Sequence, residues 1–390
     1  MNLLVLSHKE IWFCVQSPSG FSTIGGFPHQ MQTLSELFDR TIIIAANRKT
    51  TIPSGFHSLI GFNLVVQPLP EPAGTNLKRK IALLTWLPRH LPKIWRMVHQ
   101  ADAVHTPVPG DIGMIGLLVA LAQSKPLFVR HCGTWGEPVT LADRFLLWLL
   151  ERIAGGRNVV LATGGADTPP SRKNPNIRWI FSTTLTEEEL AAIPAARPWQ
   201  LGEPLRLVTV SRLSRDKNVV SIIRAIPLIR KRIPDVYLSV AGDGEARPML
   251  ERLVADLGIA ERVTFHGNVP HAEVLQILSR SHLFLFPTRV KEGFPKAVLE
   301  AMACGLPVIA TDVSIIPYLI RDCGVVLDDT NPQAVAGAIA QLISDERRLA
   351  EMSARARQKA QDYTLERWRD VIGTHLEAAW GTLSKNGTLD

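Results

Sequence analysis

Residues 292–312 read EGFPKAVLEAMACGLPVIATD, and this stretch decides how the chain folds. It reads as loop, helix and strand in succession. Pro295 suits a first helical turn, where the N–H that proline lacks would have no partner. Gly305 suits the position just past a helix C-terminus, where a left-handed residue is wanted. Leu306 to Ala310 follows as a short apolar run of the kind that forms a buried strand. Glu292 then falls on the loop entering the helix, and Glu300, eight positions on, falls inside it beyond the first turn. The N–H groups of Gly293 and Phe294, at the helix entrance, would face an anion. This layout suits a ligand with negative charge at one end and hydroxyls at the other. Glutamates on a helix also form plain solvated faces, so the pair becomes specific only beside the other motifs of the chain.

Working outward, both halves of the chain alternate short apolar runs with amphipathic ones, the pattern of parallel α/β sheets. At 390 residues it exceeds one ordinary core and reads as two domains. Strands are expected at 3–6, 41–45, 64–67, 103–105, 127–130 and 159–161 in the first half, with helices at 28–38 and 141–153 among them. The Pro-rich stretch 191–204 reads as a linker. Strands restart at 205–210 and recur at 236–241, 263–266, 283–286 and 307–310. The expected division is therefore 1–190, linker, 205–362, and a terminal helix over 363–390. Two doubly wound Rossmann-like domains facing each other would leave a cleft at the carboxyl ends of their strands.

Composition excludes several classes. The chain is 46% hydrophobic and 20% charged, without repeats or low-complexity tracts, as a globular protein is. Cys14, Cys132, Cys304 and Cys323 are scattered and form no C-x-x-C pair, which argues against a zinc site or disulfide framework and for a reducing compartment. The start MNLLVLSHKE lacks a basic leader and reads as a strand rather than a signal peptide. The apolar run from Ile112 to Ser124 is shorter than the ~20 residues that span a bilayer. The expected location is the cytoplasm.

The net charge of +7 is uneven. Residues 1–200 hold 19 Lys and Arg against 13 Asp and Glu, whereas residues 201–390 hold 24 against 23. The densest basic part, 77–99, interleaves Lys78, Arg79, Lys80, Arg89, Lys93 and Arg96 with apolar residues that include Trp86 and Trp95. It reads either as a peripheral contact with an anionic membrane, or as a surface helix packed on its own domain and broken by Pro88 and Pro92. No nucleic-acid-binding motif accompanies the charge.

Three more motifs bear chemistry. Ser211-Arg-Leu-Ser-Arg-Asp-Lys-Asn218 follows the strand at 205–210, where ligands of α/β sheets bind. Arg212 offers a planar fork for phosphate oxygens and Lys217 a compact charge; together they would hold a diphosphate and stabilise it as it leaves. Alone, they read as two solvated loop cations. Pro227 is expected to kink the helix that follows. Gly25-Gly26, ahead of a helix, would let a substrate approach the backbone closely, or make a plain turn. His131, at a strand end, could bond a sugar hydroxyl or serve structure alone. No Asp-x-Asp is present, so the carboxylate pair that commonly holds a divalent metal on a nucleotide diphosphate is missing, and cations with helix dipoles would do its electrostatic work. The loop Gly242-Asp-Gly-Glu-Ala-Arg247 lacks the last glycine of a dinucleotide fingerprint, and neither G-x-S-x-G nor a P-loop occurs.

Together, the Glu-x7-Glu segment, the loop SRLSRDKN, the stretch VAGDGEARPMLERLVADLGIAERVTFHGNVP and the N-terminal Gly-Gly resemble the family-4-type retaining glycosyltransferases of GT-B fold. The likeness is strong over 205–312 and looser before it. It implies a first domain for the acceptor, a second for the nucleotide sugar, and a final helix crossing back to the first. It implies that Arg212 and Lys217 hold the donor diphosphate, that Glu300 takes the ribose hydroxyls, and that Glu292 faces the transferred sugar. Gly293 and Phe294 would complete the donor site, Val269 would meet the nucleobase, Gly25 and Gly26 would lie near the diphosphate and acceptor, and His131 near the sugar. The family's usual glycine before the arginine is Ser211 here. The expected activity is metal-independent, cofactor-free transfer of a sugar, with retention, from a nucleoside-diphosphate sugar (UDP or GDP) to a hydroxyl of a glycan or lipid-linked acceptor. An epimerase of similar architecture and a non-catalytic nucleotide-sugar-binding scaffold are the competing readings.

Overall fold

A computed structural model describes residues 1–50, 55–74 and 76–383. Residues 384–390 of the expected terminal helix lie outside it, as does the side chain of Leu77 in the basic segment. The described chain divides into two units, one of Met1–Thr184 with the stretch from Leu365 onward, the other of Leu185–Thr364.

The first unit is built on a mostly parallel sheet. Across it lie, in order, Leu64–Pro70, Arg40–Arg48, Asn2–Phe13, Ala103–Val108, Leu127–His131, Asn158–Thr163 and Arg178–Ile180. All six expected strands are present. The first runs far beyond 3–6: a register shift between Leu6 and Glu10 carries it through the polar Ser7-His-Lys-Glu10 to Phe13. There Phe21–Ile24 folds back antiparallel, pairing Ser22 with Trp12, and Phe56–Ser58 pairs with that strand in turn. The basic segment forms one helix, Asn76–Gln100, continuous through Pro88 and Pro92. The expected break does not occur. Both prolines are exposed, so the carbonyls that lose a donor, those of Leu84 and Pro88, belong to the water-facing side. The helix Leu365–Trp380 belongs to this unit, burying Trp368, Ile372 and Leu376 with Leu3, Val5 and Phe38.

In the second unit six strands, all parallel, lie in the order Val263–Gly267, Val236–Ala241, Leu205–Val210, Leu283–Phe286, Val308–Thr311 and Gly324–Leu327. Helices cover both faces. Ile222, Ile226, Leu238 and Leu250 fill one core layer, and Phe284, Leu299 and Met302 the other. The helix Val219–Arg230 runs on through Pro227. Residues 191–204 pack on this unit: Ile193 and Ala196 are buried beside Phe284, Trp199 enters the opposite layer, and the Ala196 N–H donates to Cys304 O at 2.7 Å.

The opening stretch folds as loop, helix and strand. Its helix is Lys296–Ala303, with Pro295 one position earlier than expected, at the cap. Gly305 follows at φ +77°, with its N–H on Met302 O at 2.8 Å and the Leu306 N–H on Ala301 O at 2.9 Å. Those two bonds close a Schellman end, which only a left-handed residue makes without strain. The strand starts at Val308.

Candidate functional site

In the second unit the strand order reverses between Leu205–Val210 and Leu283–Phe286, which pair Leu207 with Leu283. The chain leaves these two strands toward opposite edges of the sheet, and the crevice beyond their carboxyl ends is where open α/β sheets bind ligands. The loop after the first strand is 211–218 and the loop after the second is 287–295. These are the segments that carry Arg212, Lys217, Glu292, Gly293 and Phe294.

Hydrogen bonds fix the first loop from three sides. Ser211 N–H donates to Ala241 O at 3.1 Å, Leu213 N–H to Asp243 O at 2.9 Å, and Ala246 N–H to Leu213 O at 2.8 Å. The 242–246 loop is thus laced to 211–213, and its glycines are what allow it. A Cβ on Gly242 would stand 1.9 Å from Ser211 O, and one on Gly244 2.5 Å from Leu213 O. Asn218 closes the loop in the left-handed region at φ +56°, its Nδ2 donating to Thr330 O at 3.0 Å. Arg289 N–H donates to Asp216 O at 2.8 Å, which ties the second loop to the first. The Ser211 hydroxyl, standing where the resembled family has glycine, is buried with no partner among the described residues. A buried donor without an acceptor is costly, and an anion bound in this loop would supply one.

Lys217 is only 8% exposed, lies 5.6 Å from the Phe286 ring centroid and forms an ion pair with Glu292. Burial lowers its pKa, Asp216 opposes the fall, and Arg212 adds to it. The buried ammonium therefore sits between a carboxylate and a second cation. Arg212 itself is exposed. An anion reaching this point would meet two cations, one exposed and one buried in an ion pair.

Glu300 lies in the helix that this second loop enters, with its side chain 13% exposed. Burial pushes its pKa up to about 7; Lys296 works against that and Glu189 with it. Its Oε1 is 3.7 Å from His271 Nδ1, a neighbour that the sequence reading missed because 29 residues separate them. Val269 lies on the loop after Val263–Gly267, just ahead of the helix His271–Ser279. Phe294 packs into the core layer beneath, its ring 5.8 Å from that of Tyr363.

Gly25, Gly26 and His131 lie in the first unit. Gly25 has φ +77° and Gly26 caps the helix Phe27–Ser35. A Cβ on Gly25 would meet Lys9 Nζ at 3.8 Å, so the ammonium of a residue not singled out in sequence stands over this turn. His131 ends its strand, buried, with Nδ1 3.2 Å from Gly133 O and its ring edge-on to Trp135. Burial lowers its pKa, which leaves a neutral imidazole at physiological pH.

Residues 196–360 match the family model described as glycosyl transferases group 1. That range spans both loops, Glu300 and the laced glycines. Over 170 residues the chain is 35% identical to a GDP-mannose-dependent alpha-(1-6)-phosphatidylinositol monomannoside mannosyltransferase of Mycolicibacterium smegmatis, covering 42% of this chain and 44% of that one. Over 232 residues it is 32% identical to a phosphatidylinositol N-acetylglucosaminyltransferase chain of Arabidopsis thaliana, covering 55% and 51%. The chain thus spans about half the length of the curated relatives it matches. Likeness of fold is wider. Anabaena Alr3699/HepE in complex with UDP superposes with a TM-score of 0.70 at 18% identity, covering 97% of this chain and all of that one. The lipopolysaccharide-biosynthesis glycosyltransferase WaaG superposes at 0.59 and 15%, covering 98% and 100%. The fold is GT-B, and the residues that match the family model lie in its second unit.

Proposed function

We propose that the chain transfers a sugar from a nucleoside-diphosphate sugar to a hydroxyl of a glycan or glycolipid acceptor, with retention at the anomeric carbon and without a metal. The observation that carries this reading is the buried Lys217, held by Glu292 beside Arg212 where the strand order reverses. Lys217 and Arg212 take the donor diphosphate, and the buried Ser211 hydroxyl supplies one more donor to it. As the glycosidic bond breaks, charge grows on the leaving phosphate, and cations already in place stabilise that charge without reorganising. Glu292 orients the sugar, and the Gly293 and Phe294 backbone completes its seat. Glu300 accepts from the ribose hydroxyls, and Val269 meets the base. The acceptor hydroxyl attacks the face that the leaving group quits and gives its proton to a donor phosphate oxygen. Catalysis is then positioning and leaving-group stabilisation.

Acceptor recognition falls to the first unit, at Gly25, Gly26 and His131, and residues 77–99 meet an anionic membrane. Two relatives whose names specify phosphatidylinositol-based acceptors support a lipid-borne one. Their GDP-mannose-dependent and N-acetylglucosaminyl chemistry, with UDP in the Anabaena structure, points to GDP or UDP as the nucleotide. The test is transfer of label from GDP- and UDP-sugars to phosphatidylinositol-type acceptors in EDTA, with the anomeric configuration of the product read by NMR. A product that keeps the donor's configuration supports the reading, and an inverted one overturns it. An epimerised donor without acceptor would mark an epimerase, and binding without turnover a scaffold.

A further inference from the structure

Among the described residues, eight of the seventeen exposed large hydrophobic side chains lie on one layer of the first unit. That layer consists of three helices, Asn76–Gln100, Asp111–Ala122 and Leu141–Ile153, together with the turn leading into the last. Their inner faces share one core cluster: Trp86 and Ile94 come from the first, Leu117 from the second, Leu146 and Leu150 from the third. The helices therefore cover the same face of the sheet, and their outer residues point to the same side. The first exposes Ile81, Leu84 and Trp95, and the second Leu118. Val139 and Leu141, at the start of the third, are 91% and 81% exposed, and Phe145 and Trp148 follow with ring centroids 5.7 Å apart. Apolar side chains on exposed helical surface, gathered on one layer, mark an interaction site.

Charge decides the partner. The 25 residues of the first helix include no Asp or Glu, and among the described residues none of Lys78, Lys80, Arg89, Lys93 and Arg96 has an ion-pair partner. A second copy meeting this face about a twofold axis would set the cationic helix against itself. An anionic bilayer supplies opposite charge to the lysines and arginines, and an interface in which tryptophan is at home. We propose that this layer is a two-part membrane footprint: the first helix gives electrostatic attraction, and the turn and helix around Val139, Leu141, Phe145 and Trp148 insert as its apolar half. The proposal rests on the membrane contact read above for residues 77–99 and adds the second element to it.

The test uses the full chain in sedimentation with vesicles of phosphatidylcholine alone or mixed with phosphatidylglycerol, without donor or acceptor, so that it is independent of turnover. Wild type should bind the mixed vesicles and release them as salt rises. Lys80→Gln/Arg89→Gln/Arg96→Gln should bind about a hundredfold more weakly, at roughly fivefold per charge. Leu141→Ser/Phe145→Ser/Trp148→Ser should bind about tenfold or more weakly, from lost apolar insertion. All six side chains are exposed, and an unchanged thermal midpoint checks that both variants fold. If only the charge variant loses binding, the apolar half is wrong and the contact at 77–99 stands. Equal binding of wild type to both vesicle types, or concentration-dependent self-association abolished by the serine variant, overturns the footprint.

Discussion

The carboxyl ends of the two sheets are built differently. In the second unit the loops are short, laced backbone to backbone, and centred on one buried cation with its carboxylate. In the first, the leading strand runs on to Phe13 and turns through a hairpin before reaching Gly25, and its charges form a partly buried network of several ion pairs. Arg48 pairs with Glu10 and Glu71, and Arg79 with Glu71 and Asp111. A rigid crevice suits a ligand whose charged part never changes, such as a diphosphate. A longer, mixed-charge rim suits the acceptor role proposed for the first unit.

The sharpest way to break this contrast is Gly242→Ala. The new methyl would strike Ser211 O at φ +120°, so the lacing of the two loops must open. We expect a loss of about 3 kcal/mol or more of stability, with loss of donor binding, read by chemical denaturation and calorimetry. Gly26→Ala, at the helix cap with φ −81° in the first unit, should cost well under that. Next come the cations. Arg212→Ala and Lys217→Ala should each cost about 10²–10³ in transfer rate, the scale of removing one key electrostatic group. Only the second should also destabilise the fold, because it leaves Glu292 without its ion-pair partner.

Glu300 sharpens the comparison through pH. Its folded pKa, about 7, lies above the ordinary 4.5. In the donor site proposed above, ribose hydroxyls would donate to the carboxylate, so donor affinity should be highest above pH 7 and fall below it, by at most about tenfold per pH unit. Glu300→Gln should flatten that profile. For the free protein the sign is opposite: the proton-bound form is favoured on folding, so this contribution is complete below about 4.5 and lost as pH rises through 7. Glu300→Gln should therefore raise the thermal midpoint at pH 8, with an upper figure of about 3 kcal/mol. The smallest effect is expected in the first unit. His131→Ala should lower transfer while leaving donor affinity within about twofold, a split between kcat and Kd that a purely structural histidine would not show.

The same contrast explains what could be read in advance. The helix 296–303, its glycine end and the strand after it follow from adjacent residues, as does the placement of Arg212 and Glu292 on loops. Lys217 meeting Glu292 does not, because 75 residues intervene and only the parallel sheet brings the loops together. Gly242 and Gly244 resembled a failed dinucleotide fingerprint in sequence, although their role is to admit another backbone. The hairpin Phe21–Ile24 and the strands Phe56–Ser58 and Arg178–Ile180 were too short and polar to stand out. Pro88 and Pro92 suggested a break because their exposed placement, which leaves the bared carbonyls to water, depends on packing.

The most direct test of the central claim is thermal unfolding of the wild type and of Lys217→Ala against GDP-, UDP- and ADP-sugars in EDTA. One nucleotide class should stabilise the wild type by about 2.7 kcal/mol at ~100 times its Kd, and the variant far less. No stabilisation by any class, or equal stabilisation of the variant, would contradict a donor site at Lys217 and Glu292.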